Sequence, residues 1–70
     1  MKISESNMKI IQLMGDGKTD KEIANIMNIP IRTIRGRISA MLKKWDCKNR
    51  THLVLKVVLF NIKSFTTFQE

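Results

Sequence analysis

The sequence predicts an all-α domain of four helices, and three observations support this prediction. Apolar residues recur at three- and four-residue intervals in its first two thirds, as they do on one face of a helix. Ser4, Thr19 and Asn49, which are residue types that cap helices, stand before apolar stretches. Glycine, asparagine and proline separate these stretches. The 70 residues suffice for one domain with a small core.

The first helix is predicted to begin after Ser4, where Ile3 can pack onto the first turn. Its apolar set is broad, and we expect Ile11 and Met14 to be its most buried residues. The Gly-Asp-Gly at residues 15–17 ends it, because glycine adopts a positive φ without a clash. This segment is not a phosphate-binding loop, since it lacks the GxxxxGK[ST] spacing and a preceding strand.

Two helices joined by a tight turn follow. Thr19 and Glu22 have the spacing of a capping box, which opens the second helix. Asn28 suits a left-handed helix end, and Pro30 suits the start of the third helix. The residues expected to face the core are Ile23, Ala24 and Met27 in the second helix and Ile34, Ile38, Met41 and Leu42 in the third. The third helix presents three arginines on its free face, Arg32, Arg35 and Arg37.

The end of the chain is the least determined part. Trp45 and Cys47 are expected in the core, and Asn49 is expected to cap a helix that begins at Arg50. The β-branched, apolar run that follows would also suit a strand, but a lone strand would leave its edges unpaired. As a helix, it would place Leu53, Val54, Val57 and Val58 on the core, and Leu55, Leu59 and Ile62 on a second apolar surface. Burial of this second surface against a copy of itself predicts a homodimer. The predicted domain covers residues 1–63, and residues 64–70 form a tail.

Charge indicates a polyanionic partner. Lysine and arginine number 13 against 6 acidic residues, which gives a net charge of +7. Positive residues are concentrated between Arg32 and Arg50, where Asp46 is the one acidic residue. An isolated basic run is usually a solvated face without a ligand, but its position on a helix-turn-helix favours nucleic acid.

Other classes of function are disfavoured. One cysteine, Cys47, and one histidine, His52, provide no set of metal ligands, and we expect no metal and no cofactor. No paired acids and no nucleophile with its base are evident, so an enzyme is not expected. The start of the chain lacks a signal peptide, and no apolar run reaches the roughly 20 residues that span a bilayer. We therefore expect a soluble, cytoplasmic protein without a membrane partner.

Short motifs between Ile3 and Arg50 carry a family resemblance. They are Ile3-Ser4, Gly17, Lys21-Glu22-Ile23-Ala24, Ile29, Thr33-Ile34-Arg35, Lys44 and Asn49-Arg50. In this register the chain resembles the DNA-binding domain of LuxR/GerE-type regulators, also found at the C-terminus of FixJ-type response regulators. Four residues depart from the family pattern, namely Asn7, Pro30, Gly36 and Arg37.

The resemblance implies a four-helix helix-turn-helix domain whose third helix lies in the major groove of double-stranded DNA. Carried over position by position, it implies base contacts from Arg35, Gly36 and Ser39, with Arg32 contacting either bases or phosphates. It implies phosphate contacts from Lys21, Thr33, Arg37 and Lys44. It also implies dimerisation through the fourth helix.

The expected function is therefore a sequence-specific transcription regulator that binds a two-fold symmetric site as a homodimer. Because the chain starts with methionine at the family's own domain boundary, we expect a free-standing regulator of the GerE type. RNA polymerase or a related regulator is a further expected partner. The alternative is an antagonist without a sensor domain, which pairs through its last helix with a full-length LuxR-type regulator or another protein.

Overall fold

A computed structural model of the protein describes the backbone of residues 1–67 and the side chains of residues 1–62. Its helices are α1 (Glu5–Gly15), α2 (Asp20–Met27), α3 (Ile31–Lys44) and α4 (Arg50–Thr67). The described residues include no strand, so the all-α prediction is confirmed and the strand alternative for the last segment is wrong. Because α4 continues through Thr67, the backbone of the predicted tail is helical up to that residue. Residues 68–70 lie outside the described residues, and the domain boundary at residue 63 stays a prediction.

The first two helices begin at the predicted caps. Ser4 Oγ accepts a hydrogen bond of 3.2 Å from the backbone N–H of Asn7. Thr19 and Glu22 form a complete capping box. Thr19 Oγ1 accepts from the Glu22 N–H at 3.1 Å, and Glu22 Oε1 accepts from the Thr19 N–H at 2.8 Å. These hydrogen bonds satisfy N–H groups that have no partner within the helix.

The start of α4 combines a predicted cap with a contact that the sequence did not indicate. Asn49 Oδ1 accepts from the backbone N–H of His52 at 2.8 Å, which confirms the cap. His52 Nδ1 in turn accepts from the backbone N–H of Lys48 at 3.0 Å. By contrast, α3 begins after Pro30 without a side-chain cap.

Three helices end in the same way, with one residue at positive φ. These residues are Gly17 (φ 83°), Asn28 (φ 55°) and Asp46 (φ 53°). At each end, the next residue donates its N–H back to a carbonyl five positions earlier, in the pairs Lys18 to Leu13, Ile29 to Ala24 and Cys47 to Leu42. This is the Schellman arrangement. The first two ends agree with the sequence prediction, whereas the positive φ of Asp46 was not anticipated.

Each helix contributes one fully buried side chain to the centre of the core. These residues are Ile10, Ile23, Ile34 and Leu53. The expectation that Ile11 and Met14 would be the most buried residues of α1 is wrong, although both are buried. Ile10 is the more enclosed because α1 packs against all three other helices. These helices cover a broad apolar surface of α1 rather than one narrow stripe.

Several residues expected in the core lie at its edge instead. Val58 is 44% exposed, which contradicts its assignment to the core face of α4. The reason is that Leu53 and Val57, four residues apart, define the narrow arc that meets the core, and Val58 is rotated away from it. The other residues of this kind are half-buried and pack against the core from outside: Met27, Leu42, Trp45, Cys47 and Val54.

Candidate nucleic-acid interface

Four exposed residues form a line along the outward side of α3. Arg32, Gly36, Ser39 and Lys43 follow the spacing i, i+4, i+7 and i+11, and all are exposed. They lie opposite the buried residues of the same helix, Ile34, Ile38 and Met41. The first three were assigned to base contact from the sequence, and the structure aligns them on one ridge.

Lys43 is a candidate that the sequence analysis missed. It extends the ridge by one turn beyond Ser39, and it forms no hydrogen bond, ion pair or ring contact with the described residues. The signal was present in the sequence, since counting onward from Arg32 at helical spacing reaches Lys43. A lysine at this end of the ridge presents a positive charge that a phosphate can bind.

Because Gly36 has no side chain, the helix backbone is exposed in the middle of this ridge. Among the described residues, a Cβ atom at Gly36 would have no heavy atom within 4 Å other than those of its chain neighbours and of the backbone of its own helix. The glycine is therefore not required by packing within the domain. Its presence in a helix costs about 1 kcal/mol relative to alanine, and close approach of a ligand to the backbone is one reason to keep it.

Arg35 lies on the flank of α3 that is turned toward α2 and α4. Its Nε atom is 3.4 Å from Asp20 Oδ2, and its side chain is 66% exposed. The other oxygen of Asp20 accepts a hydrogen bond of 2.6 Å from Arg50 Nη1. Arg35, which was assigned to base contact from the sequence, thus forms an ion pair with Asp20, a residue to which the sequence assigned no role.

Arg37 lies on the opposite flank and is directed toward α1. Its Nη1 donates a hydrogen bond of 2.6 Å to Ser6 Oγ, and the residue is half-buried. The sequence assigned Arg37 to phosphate contact on the free face of α3. The structure instead separates it from the central ridge and gives part of its guanidinium group a partner within the domain.

The remaining residues assigned to phosphate contact, Lys21, Thr33 and Lys44, are all exposed. Lys44 Nζ stands 5.2 Å from the centre of the Trp45 ring, a cation–π contact that restricts where its charge lies. Lys21 is in the first turn of α2, beside Asp20. Thr33 and Lys44 each follow a ridge residue on α3, whereas Lys21 lies on α2.

Glu22 stabilises the start of α2 as an anion. The hydrogen bond from the backbone N–H of Thr19 lowers the pKa of the Glu22 carboxyl below its ordinary value, and the Thr19 side chain and the charge of Lys18 lower it further. This carboxylate is therefore charged at neutral pH, and as an anion it accepts the Thr19 N–H at the start of α2.

A second exposed surface lies on α4. Leu55, Val58, Leu59 and Ile62 follow the spacing i, i+3, i+4 and i+7, and all four are exposed. We call these four residues the α4 stripe. Leu55, Leu59 and Ile62 were assigned to a dimer interface from the sequence, and Val58 joins them because it is directed away from the core. An apolar stripe of this kind is typical of a surface that another protein covers.

Two other kinds of site are not found among the described residues. No group of three or more histidine, cysteine, aspartate or glutamate side chains is close enough to hold a metal ion. None of the described helices has the length and apolar character needed to cross a membrane.

Comparison with known proteins gives one family. The family described as bacterial regulatory proteins, luxR family, matches residues 1–57. A probable transcriptional regulator, ycf29, of Pyropia yezoensis is 37% identical over 54 residues, which is 77% of this chain and 24% of that protein. The transcriptional regulatory protein DesR of Bacillus subtilis is 33% identical over 54 residues, 77% of this chain and 27% of that protein.

The response regulator protein VraR of Staphylococcus aureus is 30% identical over 60 residues, which is 86% of this chain and 29% of that protein. The chain thus spans between 24% and 29% of the length of these relatives. No solved structure gives a significant match.

Proposed function

Because the chain belongs to the luxR family of bacterial regulatory proteins, we propose that it binds double-stranded DNA as a homodimer and regulates transcription. The family resemblance noted in the sequence is confirmed by the match over residues 1–57. The matched family is one of regulatory proteins rather than enzymes. DNA binding, dimerisation and the individual contacts are the proposal.

The exposed ridge of α3 carries this proposal. A major groove admits one α-helix, and the side chains on its outermost line reach the base edges. In this domain that line contains Arg32, Gly36 and Ser39, followed by Lys43. Arg32 and Lys43 have no partner among the described residues, so their donors are available to a ligand.

Phosphate contacts would supply most of the affinity. Thr33 and Lys44 lie next to ridge residues on α3, Lys21 is exposed on α2, and the chain has a net charge of +7. Neutralising phosphates releases counterions, so the affinity should fall steeply as salt is added. Base contacts along α3 would then select the sequence.

The α4 stripe supports the proposal of a homodimer. Leu55, Val58 and Leu59 expose apolar surface on a helix whose opposite side holds Leu53 in the core. Two copies that pack stripe to stripe about a two-fold axis would bury this surface in both protomers. The two α3 helices would then meet a two-fold symmetric site with half-sites about 34 Å apart.

The same stripe favours a second candidate, an antagonist. In that function, α4 would pair with a longer luxR-family regulator or another protein and prevent it from acting. The α3 ridge argues against this role, because an antagonist that never contacts DNA has no use for Arg32 and Lys43 on an exposed line. Contact with RNA polymerase stays a prediction.

Selection of bound sequences from a pool of random duplexes, at physiological salt, tests the proposal. A regulator should enrich a two-fold symmetric site and bind it more tightly than random duplex. Arg32→Ala should lower the affinity for the enriched site by more than it lowers the affinity for random duplex. Lys9→Ala is the matched control, because Lys9 is an exposed cation on α1, outside the ridge.

One outcome distinguishes the regulator from the antagonist, and another tests the assignment of the α3 ridge. If no sequence is enriched over random duplex, the chain does not choose DNA by sequence and the antagonist is favoured. If Arg32→Ala and Lys9→Ala have equal effects on the enriched site, the assignment of the α3 ridge to base contact is wrong.

A further inference from the structure

One carboxylate joins three helices beside the α3 ridge. Asp20, the first residue of α2, has a side chain that is 19% exposed. Its Oδ1 accepts the 2.6 Å hydrogen bond from Arg50 Nη1 at the start of α4. Its Oδ2 is 3.4 Å from Arg35 Nε on α3. Asp20 thus contacts Arg35, which the family resemblance assigns to base contact.

The atoms used in this contact matter. Asp20 meets Arg35 at Nε, and Arg35 forms no hydrogen bond or ion pair with any other described residue. The two terminal nitrogens of Arg35 therefore remain available, on a side chain that is 66% exposed. These terminal nitrogens are the donors with which an arginine forms paired hydrogen bonds to O6 and N7 of guanine. The contact with Asp20 restrains the arginine without using the donors that would bind the base.

Restraint of the Arg35 side chain improves its discrimination between guanine and the other bases. A free arginine side chain has many rotamers and can satisfy its charge on a phosphate as easily as on a base. An ion pair that favours some of its rotamers before binding reduces the entropy that is lost when the paired hydrogen bonds form. It also limits the arginine to one region of the groove. Asp20 would therefore favour the guanine contact over contacts that carry no sequence information.

Arg50 makes an acidic residue tolerable at this position. A carboxylate near a polyanion is normally repelled, but the cluster of Asp20, Arg35 and Arg50 retains a net positive charge. The short hydrogen bond from Arg50 also fixes the orientation of the carboxylate, because it occupies the oxygen that Arg35 does not contact.

We propose that Asp20 is a positioning residue that strengthens the preference for guanine at the base pair contacted by Arg35. This inference rests on the proposed function, in which α3 lies in the major groove. A residue that acts only on stability would leave the preference at a single base pair unchanged, so that preference is the quantity to measure.

The test uses the full chain and the duplex enriched from the random pool. Each base pair of one half-site is replaced in turn, and affinities are measured for the wild type and for Arg35→Ala. The position at which Arg35→Ala removes the preference for guanine is the base pair that Arg35 contacts. A bidentate arginine is expected to contribute about 5- to 150-fold discrimination there.

At that position Asp20→Asn should lower the preference for guanine by about threefold or more, which is a substantial part of the arginine's effect. Its affinity for random duplex should not fall, because one negative charge near the phosphates has been removed. Asp16→Asn is the matched control. It makes the same change of charge at an exposed residue outside the cluster, and it should leave the preference unchanged.

The double variant, Asp20→Asn with Arg35→Ala, tests whether the effect passes through Arg35. It should show the same preference as Arg35→Ala alone. Asp20→Ser is a second neutral variant for use if Asp20→Asn does not fold, as judged by helical circular dichroism. Serine is compatible with the first turn of a helix.

The failures of the two proposals differ. If Arg35→Ala loses its preference for guanine while the neutral Asp20 variants keep theirs, the role of Asp20 is overturned and the proposed function stands. If Asp20→Asn lowers the preference equally with or without Arg35, the effect does not pass through Arg35 and the inference is also overturned. If Arg35→Ala changes no base preference, or if no sequence is enriched, base contact by Arg35 fails and the inference fails with it.

Discussion

Arg37 Nη1 donates a 2.6 Å hydrogen bond to Ser6 Oγ and thereby joins α3 to α1 across 31 residues of sequence. The contact is partly buried. A hydrogen bond that involves a charged group and is shielded from water contributes more than one between neutral, exposed groups. Arg37 therefore acts in the fold, whatever it does toward DNA.

Ser6→Ala should lower the free energy of unfolding by about 1 to 2 kcal/mol, because the guanidinium group of Arg37 loses its partner. Urea denaturation followed by circular dichroism measures this change. Ser39→Ala is the control, since Ser39 is exposed on the outer face of α3, and a surface substitution there should change the stability by less than about 0.5 kcal/mol. Equal stabilities of the two variants would mean that the bond to Ser6 contributes nothing.

Gly36→Ala should make the protein more stable and its specific binding weaker. The free energy of unfolding should rise by about 1 kcal/mol, because alanine is the better helix former and its Cβ would approach no described residue outside the neighbouring turns of α3 within 4 Å. The affinity for the enriched duplex should fall, because the added methyl group stands on the α3 ridge. Ala40→Gly, at an exposed position one turn further along α3, should show the opposite change in stability. A more stable Gly36→Ala variant with undiminished DNA binding would show that DNA does not approach Gly36 closely.

Asn28→Ala should lower the free energy of unfolding by about 1 kcal/mol, because alanine is disfavoured at the φ of 55° that ends α2. Asn28→Gly should be at least as stable as the wild type, since glycine adopts this conformation readily. Thermal unfolding compares the two variants, with Asn25→Ala inside α2 as the control for loss of an asparagine side chain. If alanine and glycine behave alike at residue 28, the left-handed conformation does not limit stability.

The capping box predicts a pH dependence of stability. Hydrogen bonds from Thr19 lower the pKa of the Glu22 carboxyl in the folded state, so the folded protein binds a proton less readily than the unfolded chain does. The resulting stabilisation is fully present above the pKa of the unfolded carboxyl. It is lost as the pH falls through the lower pKa of the folded state.

Glu22→Gln measures this contribution, because glutamine still offers an oxygen to the Thr19 N–H but does not titrate. The difference in melting temperature between the wild type and Glu22→Gln should shrink as the pH is lowered from about 6 to about 3. A difference that stays constant over this range would show that ionised Glu22 adds nothing to the start of α2.

The α4 stripe predicts a concentration-dependent dimer. Leu59→Glu should make the protein monomeric, because Leu59 is 55% exposed in the middle of the stripe and a buried carboxylate has no partner there. Ile26→Glu is a closely matched control, as Ile26 is 52% exposed but lies on α2, outside the stripe. Sedimentation velocity of both variants and the wild type gives the masses. A wild type that is monomeric at all concentrations, or a dimer that survives Leu59→Glu, would show that the stripe is not the homodimer interface.

The sequence by itself determined the helices and most of their ends. Caps at Ser4, Thr19 and Asn49 and the left-handed turn at Asn28 depend on residues at most a few positions apart. Interactions of this range have the same geometry in any protein, so residue type and spacing were enough to predict them. Helical spacing likewise places Arg32, Gly36 and Ser39 on one face of α3, and the same spacing places Lys43 on that face.

The tertiary structure decided which side chains of that face are available to a ligand. Sequence spacing treated Arg32, Arg35 and Arg37 alike, yet Arg37 binds Ser6, Arg35 contacts Asp20, and Arg32 has no partner among the described residues. Likewise, only a narrow arc of α4 meets the core, and Val58 lies outside this arc and is exposed. These outcomes depend on how the helices pack, because the residues that these side chains meet are distant in sequence. Helical spacing predicts the side of a helix on which a residue lies, but not which residues of other helices face that side.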